Sequence, residues 1–247
     1  MSSVSIRKHG PIANERAKGR GPIANEESGR FRTVSRAESR LQAGVKGVSR
    51  AESKIAGAVR AFGFHFDGKV VLDIGSSTGG FTEFALLGGA KKVIAVEKGT
   101  RQMKAPLRFD ERVELHEKTD IFTVGVTDKN KDAAELTKAK DEVWIEKPDI
   151  IVADVSFVSL KRVLTYAKVN IADSSTEFLV MLKPQFEATS WQLNHGIVKN
   201  EKVRREIIRE FEGWLRKNNF IVKGKRDNEV AGKNGNVERF YWLRMMK

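Results

Sequence analysis

The spacing of hydrophobic positions changes character along this chain of 247 residues. Residues 1–33 scatter Gly, Pro and Arg without any period, which predicts an extended, mobile segment. Between 49 and 63 the period is helical. Ser49-Arg50-Ala51-Glu52 has capping-box spacing, and Ile55, Ala58, Val59 and Phe62 follow at i, i+3, i+4 and i+7. Gly63 stops the helix, and Lys54 falls at the edge of its apolar face. Ser35 and Glu38 repeat the box over a weaker apolar face, so at most a short helix is expected there.

From residue 69 onward, short Val- and Ile-rich runs alternate with helix-like stretches. Strands are expected at Lys69–Asp73, Lys92–Glu97, Val113–Leu115, Ile150–Asp154, Phe178–Lys183, Phe220–Lys223 and Arg239–Arg244. Helices are expected near 79–89, 100–108, 131–141, 157–170 and 199–217. Such alternation with nearly continuous apolar strands predicts a parallel sheet covered on both faces. The polar, Gly-rich stretch Gly224–Asn236 has no room for a packed helix, so the last two strands are read as an antiparallel hairpin. The expectation is an α/β fold with a seven-stranded, mostly parallel sheet.

Successive strands end in, or are soon followed by, a charged residue: Asp73, Glu97, Asp120, Asp154 and Lys183. Open α/β sheets bind ligands beyond the carboxyl ends of their strands. Four acids and a lysine along that edge point to an active site there.

Charge adds a partner class. The chain carries 45 Lys+Arg against 32 Asp+Glu, a net charge of +13. Residues 1–60 hold 13 Lys and Arg against 5 Glu, so most of the excess lies in the first quarter. A basic arm suits nucleic acid, where counterion release drives affinity without reading sequence; solubility alone is the plainer alternative. The arm repeats GPIANE at 10–15 and 21–26 and VSRAES at 34–39 and 48–53, too briefly for a solenoid. The absence of cysteine excludes disulfides, thiolate metal sites and Cys nucleophiles and fits a reducing compartment. No apolar run approaches the roughly 20 residues of a membrane span, and the first residues lack a signal peptide's apolar core. A cytoplasmic protein is expected.

The first strand enters the loop Asp73-Ile74-Gly75-Ser76-Ser77-Thr78-Gly79-Gly80-Phe81-Thr82. Its spacing, D-x-G-x-x-x-G-G, is not the G-x-G-x-x-G of a nicotinamide site, whose helix faces a pyrophosphate. It is the form used with S-adenosyl-L-methionine (SAM), which has no phosphate to cradle. Glu97 ends the next strand, where a carboxylate can accept hydrogen bonds from both ribose hydroxyls of an adenosine. Asp120, after the third strand, is placed to meet the adenine amino group.

A second constellation comprises Lys54, Asp154, Lys183 and Glu238. Pro184 restricts Lys183 to an extended backbone. Asp154 and Glu238 favour a charged Lys183, whereas Lys54, a nearby sulfonium and burial favour the neutral amine, the only form able to take a proton. With the site filled, the second set is expected to prevail. Spacing alone leaves two readings open: a general-base centre, or a buried ion-pair network that holds strand ends together.

The run VSRAESK…AFGFHFDGKVVLDIGSSTGGFTEFALLGGAKKVIAVEKG, followed by DIIVADVSFVSL, LVMLKPQFE, HGIVKN and GNVERFYWLR, resembles the TlyA/hemolysin-A family of FtsJ-like ribosomal RNA methyltransferases over roughly residues 48–246. The resemblance implies a Rossmann-like class I SAM-dependent methyltransferase domain (48–247) behind a basic, partly disordered arm (1–47). It implies that a Lys-Asp-Lys-Glu tetrad, here Lys54, Asp154, Lys183 and Glu238, transfers a methyl group from SAM to a ribose 2′-hydroxyl. Asp73, Gly75, Glu97 and Asp120 would hold SAM, with Ser76, Thr78, Gly79, Gly80 and Phe81 completing the loop. The implied partner is ribosomal RNA or a ribosomal subunit, the implied target a cytidine, and no metal is required.

Two departures bear on substrate. Members usually begin with a small folded RNA-binding domain, where this chain has the basic arm, and the charged stretch Thr127–Lys147 is longer than the family pattern. It reads as a solvated helix or an added RNA contact. Lys199–Arg209 would grip phosphates, and Phe186 and Trp191 are aromatic enough to stack on a splayed base. The rival classes are a non-catalytic RNA-binding or assembly factor and a membrane-active haemolysin. The intact tetrad and SAM loop argue against the first. No stretch is both strongly amphipathic and apolar enough to insert, which argues against the second.

Overall fold

Helix α1 (Arg50–Phe62) forms where the apolar stripe predicts it. Ile55, Ala58 and Val59 are buried, Phe62 is half-buried beside Trp242, and Gly63 leaves the helix at φ 61°. The computed structural model describes residues 50–127, 142–229 and 235–246. The basic arm, both capping boxes and the helix expected at 131–141 lie outside the described residues and side chains.

Seven strands form one sheet: β1 (Val70–Ile74), β2 (Lys92–Glu97), β3 (Val113–Glu117), then, beyond a small separate pair, β6 (Ile150–Ala153), β7 (Glu177–Leu182), β8 (Phe220–Asp227) and β9 (Arg239–Met245). Their order is β3-β2-β1-β6-β7-β9-β8, with β9 antiparallel to both neighbours and the other pairs parallel. The chain passes from β1 outward to β3, then returns to the other side of β1 at β6. That reversal opens a crevice at the carboxyl ends of β1 and β6.

Period-two alternation splits the core into two layers. Leu72, Ile74, Ile94, Val96 and Ile151 face α4 (Leu160–Asn170) and α6 (Glu201–Lys217). Val71, Val93, Ile150 and Val152 face α1 and α2 (Gly80–Leu87). Each such side chain contributes about 1.5–3 kcal/mol on burial, so the sheet is a rigid base for whatever its edge carries.

Three elements differ from expectation. The helix read over 100–108 is a single turn, α3 (Ala105–Arg108), because Arg101 takes φ 54° and Pro106 fits only a first turn. β8 runs four residues further than its apolar stretch, past a bulge between Val222 and Gly224. A Cβ on Gly224 would lie 2.7 Å from the Phe62 ring. The third difference concerns the charged stretch: its end holds β5 (Val143–Ile145), paired in parallel with β4 (Val124–Val126) as a separate two-stranded sheet. Among the described residues, no helix is long and apolar enough to cross a membrane.

Candidate active site

The glycine loop is built from backbone necessity. Gly75 takes φ 80°, and a Cβ there would stand 3.2 Å from the Asp154 carbonyl oxygen, so glycine lets the end of β1 lie against the end of β6. Glu97, at the end of β2, fastens the loop: Oε2 accepts from the Ser77 N–H at 2.9 Å and Oε1 from the Gly99 N–H at 2.7 Å. Oε1 also accepts a long bond from Gln102 Nε2 at 3.4 Å, so Oε2 is the oxygen that retains acceptor capacity for a further donor.

Other loop residues turn away from the opening. Gly79, at φ 90°, has its missing Cβ position filled by Leu107, 2.3 Å away, so it serves helix packing rather than ligand approach. Gly80 and Phe81 begin α2, and Phe81 is buried with its ring 6.1 Å from that of Phe240. Gly79, Gly80 and Phe81 are not among the residues that line the cleft beyond the loop. Thr78 is exposed at the turn.

Asp73 is fully buried, and its Oδ2 accepts from the Thr82 hydroxyl at 2.7 Å. Burial above all, then the nearby Asp154 and Glu97 charges, push its carboxyl up to about 7 against the pull of Thr82. Its Oδ1 and the hydroxyl of buried Ser76 have no hydrogen-bond partner among the described residues.

Beyond the loop lies a cleft of about 690 Å³ whose walls include Gly75, Ser77, Glu97, Asp120, Phe122 and Asp154. Its size suits a small-molecule cofactor. Ile74, Val96, Ile121 and Val155 make part of the wall apolar. Asp120 caps the short turn Ile121–Thr123 and pairs with Lys98 at 2.9 Å. Partial burial opposes ionisation there, but Lys98 and the Phe122 N–H hold its carboxyl below the usual range. A carboxylate for a ribose diol, a second for an amino group, an apolar slot and two orphaned polar atoms fit the chemistry of SAM.

The tetrad resolves into two ion pairs. Lys183 leaves β7 in an extended conformation fixed by Pro184, and its Nζ lies 2.6 Å from Asp154 Oδ1. That contact is close charge pairing that falls outside hydrogen-bond geometry. The aimed bond of Lys183 goes to Ser156 Oγ at 2.8 Å, and the Phe186 ring centroid is 5.9 Å from the same nitrogen. Lys54 of α1 pairs with Glu238 at 2.7 Å, both side chains almost wholly buried. Asp154 and Ser156 line the cleft; Lys183, Lys54 and Glu238 are not among its lining residues.

Several contributors escaped the sequence reading, although each sits inside a stretch quoted for the resemblance. Ser156 is one. Phe157 is 92% exposed at φ 62°, a backbone cost of order 1–3 kcal/mol, with its ring 5.2 Å from Phe186. Glu187 accepts from the Ser159 hydroxyl at 2.8 Å and the Leu160 N–H at 2.6 Å, tying the turn after Lys183 to the start of α4. Asn236 bonds the Val198 N–H and the Gly196 carbonyl, which steadies the approach to Glu238. Trp191 is exposed in a short turn of its own.

Comparison with known proteins shows the family of the chain. The family model for FtsJ-like methyltransferases matches residues 47–245. YqxC of Bacillus subtilis, named as an rRNA methyltransferase, is 33% identical over 77% of this chain and 63% of its own length. The 23S rRNA (cytidine-2′-O)-methyltransferase TlyA of Campylobacter jejuni is 34% identical over 79% of this chain and 70% of its own. A crystal structure from Lactococcus lactis, described as a hemolysin, superposes with a TM-score of 0.68 at 34% identity, covering 81% of this chain and 89% of that one. The chain thus spans less than two thirds of YqxC.

Proposed function

Because the chain belongs to the FtsJ-like methyltransferase family, we propose that it methylates the ribose 2′-hydroxyl of ribosomal RNA, at a cytidine, with Lys183 as general base. One observation carries the reading. Lys183 pairs with Asp154 and bonds Ser156, and those two residues line the same cleft in which Glu97 and Asp120 would offer acceptors to an adenosine. Methyl transfer in this family draws on SAM, which supplies an electrophilic methyl group on a sulfonium.

Glu97 would hold the ribose hydroxyls and Asp120 the adenine amino group, with Gly75 admitting the cofactor close to the backbone. Lys183 would accept the proton of the target 2′-hydroxyl, whose oxygen would receive the methyl group. Asp154 keeps the resulting ammonium paired. Lys54 and Glu238, paired outside the cleft lining, would orient Lys183 and the ribose. General-base assistance is worth roughly 10²–10⁴-fold, and alignment of the two reactants supplies much of the remainder. The exposed ring of Phe157, backed by Phe186, is a platform for an unstacked base.

Incubation with methyl-labelled SAM and purified ribosomal subunits, followed by mapping of the modified nucleotide, tests this. Label at a ribose 2′-oxygen is expected; label on a base or none at all would refute it.

A further inference from the structure

We propose that Ser156 is a positioning residue for the reaction, setting the direction in which Lys183 presents its lone pair. The proposal rests on the general-base reading of Lys183.

Asp154 and Ser156 are two residues apart in the segment just beyond β6, with buried Val155 between them packed on the core and also part of the cleft wall. Alternate residues of an extended chain face the same way, and both side chains reach the same nitrogen, at 2.6 Å and 2.8 Å. They are not equivalent partners. The carboxylate contact is poorly aimed, whereas the hydroxyl contact satisfies hydrogen-bond geometry. Attraction to a charge restrains distance more than angle, and a hydrogen bond restrains both.

A neutral amine has two hydrogens and one lone pair on a tetrahedral nitrogen. With one hydrogen on Ser156 Oγ and the other drawn to Asp154, the lone pair is left the one remaining position. Without Ser156 the amine can rotate about its terminal bond while staying close to Asp154, and the fraction of time spent correctly aimed falls. Ser156 therefore acts through Lys183. It is exposed to the cleft and supports no core contact, so its removal leaves the fold alone.

The test compares Ser156→Ala, Ser156→Thr and Lys183→Ala, using calorimetry for SAM affinity, thermal melting for integrity, and steady-state kinetics on ribosomal subunits at saturating SAM. Ser156→Ala is expected to lower kcat about ten- to a hundredfold, with KM for the RNA and Kd for SAM each changed less than about twofold. Ser156→Thr, which keeps the hydroxyl, is expected to restore most of kcat. Full turnover in Ser156→Ala beside an inactive Lys183→Ala would overturn the positioning role alone. So would a Ser156→Thr as impaired as the alanine variant, or a loss of SAM affinity that accounts for the lost rate. Full turnover in Lys183→Ala would overturn the base reading, and this proposal with it.

Discussion

Lys183 and Glu238 stand opposite each other one step beyond Leu182 and Arg239, the last paired positions of β7 and β9, yet each takes its ionic partner from elsewhere. Lys183 pairs with Asp154 of the β6 end, and Glu238 with Lys54 of α1. The sheet register thus brings four charges to one edge while separating them into a pair at the cleft and a pair beneath it. Both pairs are largely closed off from water: the Lys54 and Lys183 side chains are each 10% exposed, Glu238 4% and Asp154 17%. A charge pair closed off from water is expensive to break by removing one partner.

Glu238→Gln should therefore cost stability as well as turnover. It leaves the Lys54 ammonium buried against a neutral group, a loss of about 3–5 kcal/mol by analogy with other buried pairs. Asp154→Asn strands Lys183, equally buried, and should lower turnover at least a hundredfold while also costing stability. Urea denaturation beside methyl-transfer assays reads both effects. Unchanged stability in both variants would show that neither pair is closed off from water.

At Glu97, two demands meet. Its carboxylate already fastens the Ser77 and Gly99 N–H groups, and it is the acceptor proposed for the ribose diol. Glu97→Gln should weaken SAM binding by roughly 1.5–3 kcal/mol, at least tenfold in Kd, as expected for hydrogen bonds to a charged group. Gly75→Asp should abolish binding, since φ 80° and the Asp154 carbonyl at 3.2 Å both resist a side chain there. Titration calorimetry reads both; unchanged SAM affinity in Gly75→Asp would exclude the loop as the cofactor site.

Asp73 gives stability a pH dependence. Its folded-state carboxyl is pushed up to about 7 from 3.8, so across that window the folded protein binds more protons than the unfolded chain. Stability contributed by this group is fully present below about pH 4 and is lost as pH rises through 7, with a limiting slope of about 1.4 kcal/mol per pH unit. Asp73→Asn should remove that slope and raise the melting temperature at pH 8 relative to the parent. Melting curves from pH 5 to 8.5 check it; parallel profiles for the two proteins would show that Asp73 is ionised throughout.

Much of this edge could be read from residue order because each signal is local. The Ile55, Ala58 and Val59 stripe carries its own period, and a charged residue ending an apolar strand marks Asp73, Glu97, Asp154 and Lys183 without any tertiary knowledge. What was missed depends on contacts between distant segments. Gly79 owes its conformation to Leu107, and Phe81 faces the core because α2 is apolar on most sides and offers no moment to orient it. Three-residue strands such as β4 and β5 are too short for a period to register. Ser156 looks like any loop serine until Lys183, 27 positions away, is seen to bond it.

The outward face of α6 yields the last prediction. Lys202, Arg205, Arg209 and Arg216 are exposed and recur at spacings of three, four and seven, which aligns them along one side of the helix. At about 1.5 Å per residue the row is roughly 20 Å long, enough to follow several phosphates. The helix starts at Asn200, just after the loop that Asn236 ties to the approach of Glu238, so the row begins near the catalytic edge. Phosphate contacts hold register without reading bases, and each one lost should reduce the dependence of log affinity on log salt by about 0.7–0.9. A variant with Arg205, Arg209 and Arg216 all changed to Gln should bind RNA more weakly at low salt, with a salt slope shallower by about two. Its kcat at saturating RNA should be unchanged, because the face lies outside the cleft. A salt slope equal to that of the parent would reduce this face to a solvated surface.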